Sequence, residues 1–350
     1  MEYKPDDNHN PFRASTRRPV RVSTESFVKY HWLGPDRQLP LVIEPAIETL
    51  DAVAWIQTVW QELESRLLEY GAILFRNFDL GTVARFGQFV RAVQPDLLPY
   101  MERSSPRSLV GSGIYTSTDY PANQSIRFHN EQSYTRRWPM KLWFFCESPA
   151  AEGGATPIAD GRRVLALLPQ QIRESFIKKK TMYVRNYGGG LGLSWQTAFQ
   201  TDDRLQVERY CREVDIGFEW LEENRLRTRQ VFETVVRHPK SGEALWFEHA
   251  AFFHISSLPP QIQEAILHEF DEADLPINTY YGDGSRIETA VINEIHEAYR
   301  QVAVSFAWQK GDLLLIDNML VSHSREPFKG QRRILVAMSE LHHSSPANAL

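Results

Sequence analysis

A chain of 350 residues with 42% hydrophobic side chains can bury one large domain or two modest ones, which excludes a disordered protein. Its net charge is −5, and its Lys and Arg residues are scattered rather than clustered, which argues against nucleic acid as a partner. The two cysteines, Cys146 and Cys211, are too few for a disulfide framework. With no signal-peptide pattern at the start and no run of about 18 apolar residues, a soluble cytoplasmic protein without membrane contacts is expected.

Residues 1–38 are polar and interrupted by Pro11, Pro19 and Pro35, so an extended arm is expected there. Apolar residues then recur in steps of three and four from Val53 to Leu67, predicting a helix over Thr49–Glu69, started by Thr49 or Asp51 and ended by Gly71. A strand over Ala72–Asn77 and a helix over Val83–Val93 follow. Residues 95–127 are rich in proline and long for a connector, which fits a lid or a loop facing substrate.

Beyond that loop come a buried strand at Leu142–Phe145 and helices starting at Gly161 and Pro169, the first capped by Asp160. A strand over 181–187 precedes the glycine run Gly188–Gly190, a loop tip or hinge. A helix is expected over 203–213. Strands Arg227–Arg237 and Ala244–His249 should form a hairpin around residues 239–243. Helices over Pro259–Phe270 and Ile287–Tyr299, then strands at Ser305–Trp308, Leu313–Asp317 and Arg332–Met338, complete the pattern before a polar tail at 344–350. Many short strands with inserted helices favour a closed or double-sheet β core such as a jelly roll, with residues 39–343 as its single domain. No Gly-x-Gly-x-x-Gly follows a strand and no P-loop is present.

The chemistry concentrates at Phe128-His129-Asn130-Glu131. On a strand, residues i and i+2 face the same way, so His129 and Glu131 can offer an imidazole and a carboxylate to one point. That is most of the 2-His-1-carboxylate set of non-haem Fe(II) sites, with His323 the best candidate for the third ligand. His249, at the end of an aromatic strand with Phe247, and Asn186 and Tyr187, before the glycine run, are candidates for the substrate wall. Asp317 and Asn318 are candidates for orienting His323.

The chain resembles the TauD/TfdA family of Fe(II)- and 2-oxoglutarate-dependent dioxygenases from roughly residue 40 to 341. The resemblance rests on Phe128-His129-Asn130-Glu131, Gly153-Gly154-Ala155-Thr156-Pro157, Gly311–Asn318 and His323–Arg333 taken together. Within the family the chain is most similar to the branch of the syringomycin-pathway aspartyl hydroxylase.

The resemblance implies a double-stranded β-helix core, Fe(II) held by His129, Glu131 and His323, and O2 and 2-oxoglutarate as cosubstrates. It also implies that Thr156 and Arg333 grip the distal carboxylate of 2-oxoglutarate, with Arg325 as second choice and Arg332 facing the other way. A guanidinium fork suits a carboxylate. Glu131 fills the place that related halogenases leave open for chloride, which favours an oxygenase. In the taurine-cleaving relatives, an arginine four residues beyond the 2-oxoglutarate arginine grips the sulfonate. Here that place is Ala337, so a sulfonate is a poor fit.

The expected activity is hydroxylation of an unactivated C–H bond in an amino acid or amino-acid-derived small molecule, free or on a carrier protein, in natural-product biosynthesis. Desaturation, epoxidation or ring formation at the same iron remains open, because about an ångström of substrate placement decides among them. A metal-binding β-barrel without turnover is the non-enzyme alternative.

Overall fold

The computed structural model describes residues 27–34, 37–100, 107–118, 120–189 and 192–344. The arm up to residue 26, Gly190, and the tail from residue 345 fall outside them. Where it is described, the end of the expected arm is a strand. Val28–Gly34 pairs antiparallel with Arg37–Pro45, and the two close one side of an eight-stranded sheet.

The first helix forms where the apolar spacing puts it, over Ala52–Tyr70. The Asp51 carboxylate accepts from the backbone N–H groups of Val53 and Ala54, and Gly71 ends the helix at a φ of 79°. Its buried stripe, Trp55, Ile56, Val59, Leu63 and Leu67, lies on the large sheet together with the helix Val83–Arg91. Trp60 stacks on Trp143 and Phe86 on Phe145.

The centre of the large sheet is formed by Ala72–Phe75, Leu313–Asp317, Arg137–Ser148 and Arg333–His343, in that spatial order. Alternation is strict. Leu142, Phe144, Leu314, Ile316, Ile334 and Val336 face the interior core. Trp143, Phe145, Leu313, Leu315, Leu335 and Ala337 face the helices. Both faces are therefore buried, which is why these strands read as continuous apolar runs.

A three-stranded sheet, ordered Ile126–His129, Val321–Arg325, Ile158–Asp160, supplies the second layer. The two layers make the jelly-roll core that the strand pattern favoured, the double-stranded β-helix that the resemblance implied. A separate four-stranded sheet, ordered Gly217–Leu221, Arg225–Phe232, Thr181–Tyr187, Ile277–Tyr281, stands beside it with its own small core around Trp195 and Leu226.

Two expectations need correction. Residues 305–308 are not a strand; the only pairing there is the isolated bridge of Val304 to Ile158. Arg227–Arg237 is broken in two at Glu233-Thr234.

Candidate active site

Two strands of the small sheet bring the histidines together. His129 is the last residue of Ile126–His129, and in the antiparallel register it stands directly opposite His323. Their rings lie 4.3 Å apart, centroid to centroid. Glu131 joins them, and one ligand atom from each of His129, Glu131 and His323 lies within 4.8 Å of the others. Among the described residues no other group of three or more His, Cys, Asp and Glu meets at this spacing.

Glu131 does not reach this point by strand alternation. The strand ends at His129, and Glu131 opens a turn followed by Gln132 at a φ of 57°. Asn318 shapes that turn. Its Oδ1 accepts from Glu131 N at 2.8 Å, and its Nδ2 donates to Glu131 O and Pro139 O, each at 2.9 Å. Asn130 returns the contact, donating to Asn318 O at 2.7 Å and accepting from Ser322 Oγ at 2.9 Å. Asn318 thus positions the carboxylate, not His323. Asp317 accepts from the N–H groups of Met319 and Leu320 and pairs with His238.

The protonation pattern suits a cation. His129 Nδ1 lies 2.9 Å from Arg127 O. A carbonyl only accepts, so Nδ1 carries the proton and the Nε2 lone pair is free. Burial lowers the pKa of His129 and drives that of His323 well below its ordinary value, so both rings are neutral at neutral pH. His323 Nδ1 is buried without a partner among the described residues. Two neutral imidazoles and a carboxylate on one point are the donor set of a hard-to-borderline divalent metal, and they fit Fe(II) with positions left over.

Arg107 was missed in the sequence. It lies in the loop before the first histidine, and nothing in its spacing marks it. Its Nη2 donates to Glu131 Oε2 at 2.8 Å, and both side chains are almost wholly buried. Burial alone would push the guanidinium down, but the Glu131 carboxylate and Tyr100 outweigh it and hold its pKa above the ordinary value.

A narrow recess of about 40 Å³ opens beside His129 and His323, lined also by Thr156, Arg325, Arg332, Ile334 and Val336. Arg332, and not Arg333, stands beside Thr156. Arg332 Nη2 donates to Thr156 Oγ1 at 3.1 Å, and its Nε donates to Gly154 O at 2.8 Å. Arg333 is half exposed and pairs with Glu147 at 2.9 Å. Arg332 and Arg333 do face opposite ways, but Arg332 is on the inward side, that of Ile334 and Val336. The position four residues on is then Val336, also apolar.

Burial, helped by neighbouring Arg325, lowers Arg332 to about 10, so it remains a cation at neutral pH. Trp308 Nε1 donates to Thr156 Oγ1 at 3.1 Å. With both lone pairs taken by Arg332 and Trp308, the Thr156 hydroxyl must point its own hydrogen elsewhere, ready for an acceptor. Gly154 sits at a φ of 71°, and a Cβ there would come within 2.9 Å of Arg332 Cδ, so glycine is what admits the arginine. Arg325 is committed differently, donating to the carbonyls of Tyr120, Pro121 and Gln124.

A larger cavity of about 640 Å³ adjoins the three ligands, with His249, Phe252, Ile255, Ile266, Leu275 and Ile277 on its walls. Of the expected substrate residues only His249 lines it. Phe247 packs in the core on Trp138. Asn186 is tied to the carbonyls of Ala273 and Leu275 and to Arg227, and Tyr187 lies in the small core of the outer sheet. These three belong to the scaffold. The loop before the ligands does face the cavity, through Arg107, Thr118, Tyr120 and Gln124.

Residues 36–338 match the family described as taurine catabolism dioxygenase TauD, TfdA family. The chain belongs to the TauD/TfdA family. It is therefore an Fe(II)- and 2-oxoglutarate-dependent dioxygenase that uses O2, and the reading as a barrel without turnover falls.

The dioxygenase is 40% identical over 276 residues to the dapdiamide synthesis protein DdaC of Enterobacter agglomerans, covering 79% of this chain and 84% of that one. It is 30% identical over 317 residues to a clavaminate synthase-like protein of Arabidopsis thaliana, covering 87% and 91%. The fold is shared with PvcB of Pseudomonas aeruginosa at a TM-score of 0.53 and 14% identity, covering 94% and 96%. No described helix is long and apolar enough to cross a membrane.

Proposed function

We propose that the dioxygenase hydroxylates an unactivated C–H bond of an amino acid or amino-acid-derived metabolite, in the biosynthesis of a small natural product. His129, Glu131 and His323 hold the Fe(II). Thr156 and Arg332 hold the distal carboxylate of 2-oxoglutarate, Arg332 taking the part expected of Arg333. The observation that carries the assignment is the recess itself: a cationic guanidinium and a hydroxyl with a spare hydrogen, in the same narrow space as the two histidines.

When bound, the iron with its cosubstrate supplies the oxidising power. The chain's own work is to fix the turn that carries Glu131 through Asn318, to orient 2-oxoglutarate through Arg332, and to keep a mostly apolar cavity around the C–H bond. The likeness to a dapdiamide synthesis protein supports a biosynthetic role and a substrate related to amino acids. The scattered charge and the absence of any membrane-spanning helix among the described residues are consistent with an enzyme of the cytoplasm.

The test is anaerobic absorbance of the protein with Fe(II), before and after 2-oxoglutarate. A visible charge-transfer band in the wild type, absent in His129→Ala, is the expected result. No band from a folded, iron-loaded protein would overturn the ligand and clamp assignments. Succinate formation with free and carrier-bound amino acids then separates the two forms of substrate.

A further inference from the structure

Arg107 is a buried cation with more hydrogen-bonding capacity than its surroundings use. Its side chain is 6% exposed, yet its Nε has no partner among the described residues. One edge of the guanidinium is spent on Glu131 Oε2. Its face is 4.4 Å from the ring centroid of Tyr100, which fixes the plane of the fork. A planar donor held by Glu131 and Tyr100, with its buried Nε still unpaired, has capacity left for a second planar acceptor.

The electrostatics point the same way. Arg107 lines both the recess and the large cavity. Among the described residues on those walls Glu131 is the single carboxylate, and a bound metal shares its charge. Arg127, on the same cavity wall, adds a second cation. His249 and His254 also face the cavity and offer no negative charge to offset these cations. Arg332 and Arg325 line the recess but not the large cavity: Arg332 is engaged with Thr156 and Gly154, while Arg325 donates to the 120–124 carbonyls through its Nη groups and, like Arg107, leaves its Nε unpaired among the described residues. Of the two arginines whose Nε is unpaired, Arg107 is the one that lines both the recess and the large cavity.

We propose that Arg107 is the anchor for a carboxylate on the substrate, so the dioxygenase acts on an acid whose carboxylate lies beside the reacting carbon. This inference rests on the function proposed above and names the substrate class. Anchor and metal ligand share one hydrogen bond, so substrate binding and ligand orientation are linked through Arg107. A neutral substrate would leave the Nε donor buried and unpaired, an outcome that costs more than a made bond returns.

The test uses the full chain loaded with Mn(II) and N-oxalylglycine, an unreactive stand-in for 2-oxoglutarate. Thermal shift and calorimetry are run with N-acetyl derivatives of the protein amino acids and with their primary amides, neutral twins of the same shape. At least one acid should bind, its amide should not, and Arg107→Gln should lose that preference by at least about tenfold in affinity. Arg107→Lys, which keeps the charge without the fork, should retain part of it and guards against a folding artefact, with circular dichroism as the check.

Equal binding of acids and amides, no binding of any acid to the wild type, or an acid preference that survives Arg107→Gln each overturns the proposal. So does a preference lost only in Arg127→Gln. Loss of Mn(II) and N-oxalylglycine binding in both Arg107 variants would make the residue a brace for Glu131 and not an anchor, which also overturns it. Failure of the wild type to bind Mn(II) and N-oxalylglycine is a different result and strikes the proposed function itself.

Discussion

Arg332 and Arg333 are neighbours with opposite fates, and the difference is measurable. Arg332 shares a narrow recess with the histidines, while Arg333 is an outward ion pair with Glu147. Replacing Arg332 by Leu removes the buried cation proposed to hold the distal carboxylate of 2-oxoglutarate. The apparent KM for 2-oxoglutarate, followed by succinate release, should rise by at least about tenfold. Arg333→Leu breaks an exposed pair worth little and should leave that KM within about twofold. A reversed order of effects would return the role to Arg333.

The identity of these residues was legible in the sequence, and so was their alternation. Which face of the strand looks inward was not, because both faces are buried: one meets the opposite sheet, the other the helices. Periodicity reports that two faces exist and cannot rank two apolar ones. Arg107 left no mark at all, since its role depends on a loop bringing it to Glu131 from 24 residues away.

At the scale of elements, the ligand geometry rests on the register between two strands and on one turn. The strand register places His129 opposite His323. The turn that carries Glu131 depends on Asn318, whose side chain makes three buried bonds to the backbone around it. Asn318→Ala should lower Fe(II) affinity by about 10–100-fold, read by competition with a chelating dye, and should lower Tm as well. Unchanged iron affinity would mean that the turn holds its shape without this side chain.

Helix packing can be tested separately from the site. Phe86, fully buried and stacked on Phe145, fastens the second helix to the outer face of the sheet. Phe86→Ala should cost about 3–5 kcal/mol of stability in denaturant unfolding. The 2-oxoglutarate affinity of the folded fraction should remain, because Phe86 touches the face away from the recess. The helix itself was readable because spacing, cap and terminal glycine all agreed. The strand over Ile277–Tyr281 was not, because it forms part of an outer sheet held by pairing with Thr181–Tyr187, a partner far away in sequence.

For the molecule as a whole, a buried acid ties stability to pH. Glu248 is fully buried beneath the ligand turn, with its carboxyl accepting from Ala251 N and Tyr299 Oη. Burial raises its pKa from 4.5 to about 7. Between those values the native state keeps a proton that the unfolded chain has released, so stability falls as pH rises from 4.5 towards 7 and then levels off. Glu248→Gln keeps the shape and removes the titration. The drop in Tm between pH 5 and pH 8 should therefore be smaller in the variant, by differential scanning calorimetry of the metal-free protein. Equal drops would show that Glu248 does not carry this dependence.

The sequence by itself determined the class of chemistry and the kind of core. His129 and Glu131 two residues apart, a Gly-Gly-x-Thr, and apolar strands around a distant His323 are local patterns, and local patterns survive in one dimension. Tertiary structure decided everything that depends on which surface meets which. It chose Arg332 over Arg333, gave Glu131 its position through a turn rather than a strand, and put Phe247, Asn186 and Tyr187 into the scaffold. It also assembled the cavity wall from Phe252, Ile266 and Leu275, residues of three separate segments. Those choices follow from the packing of two sheets and their helices, and a linear chain carries no signal of a face until its partner is in place.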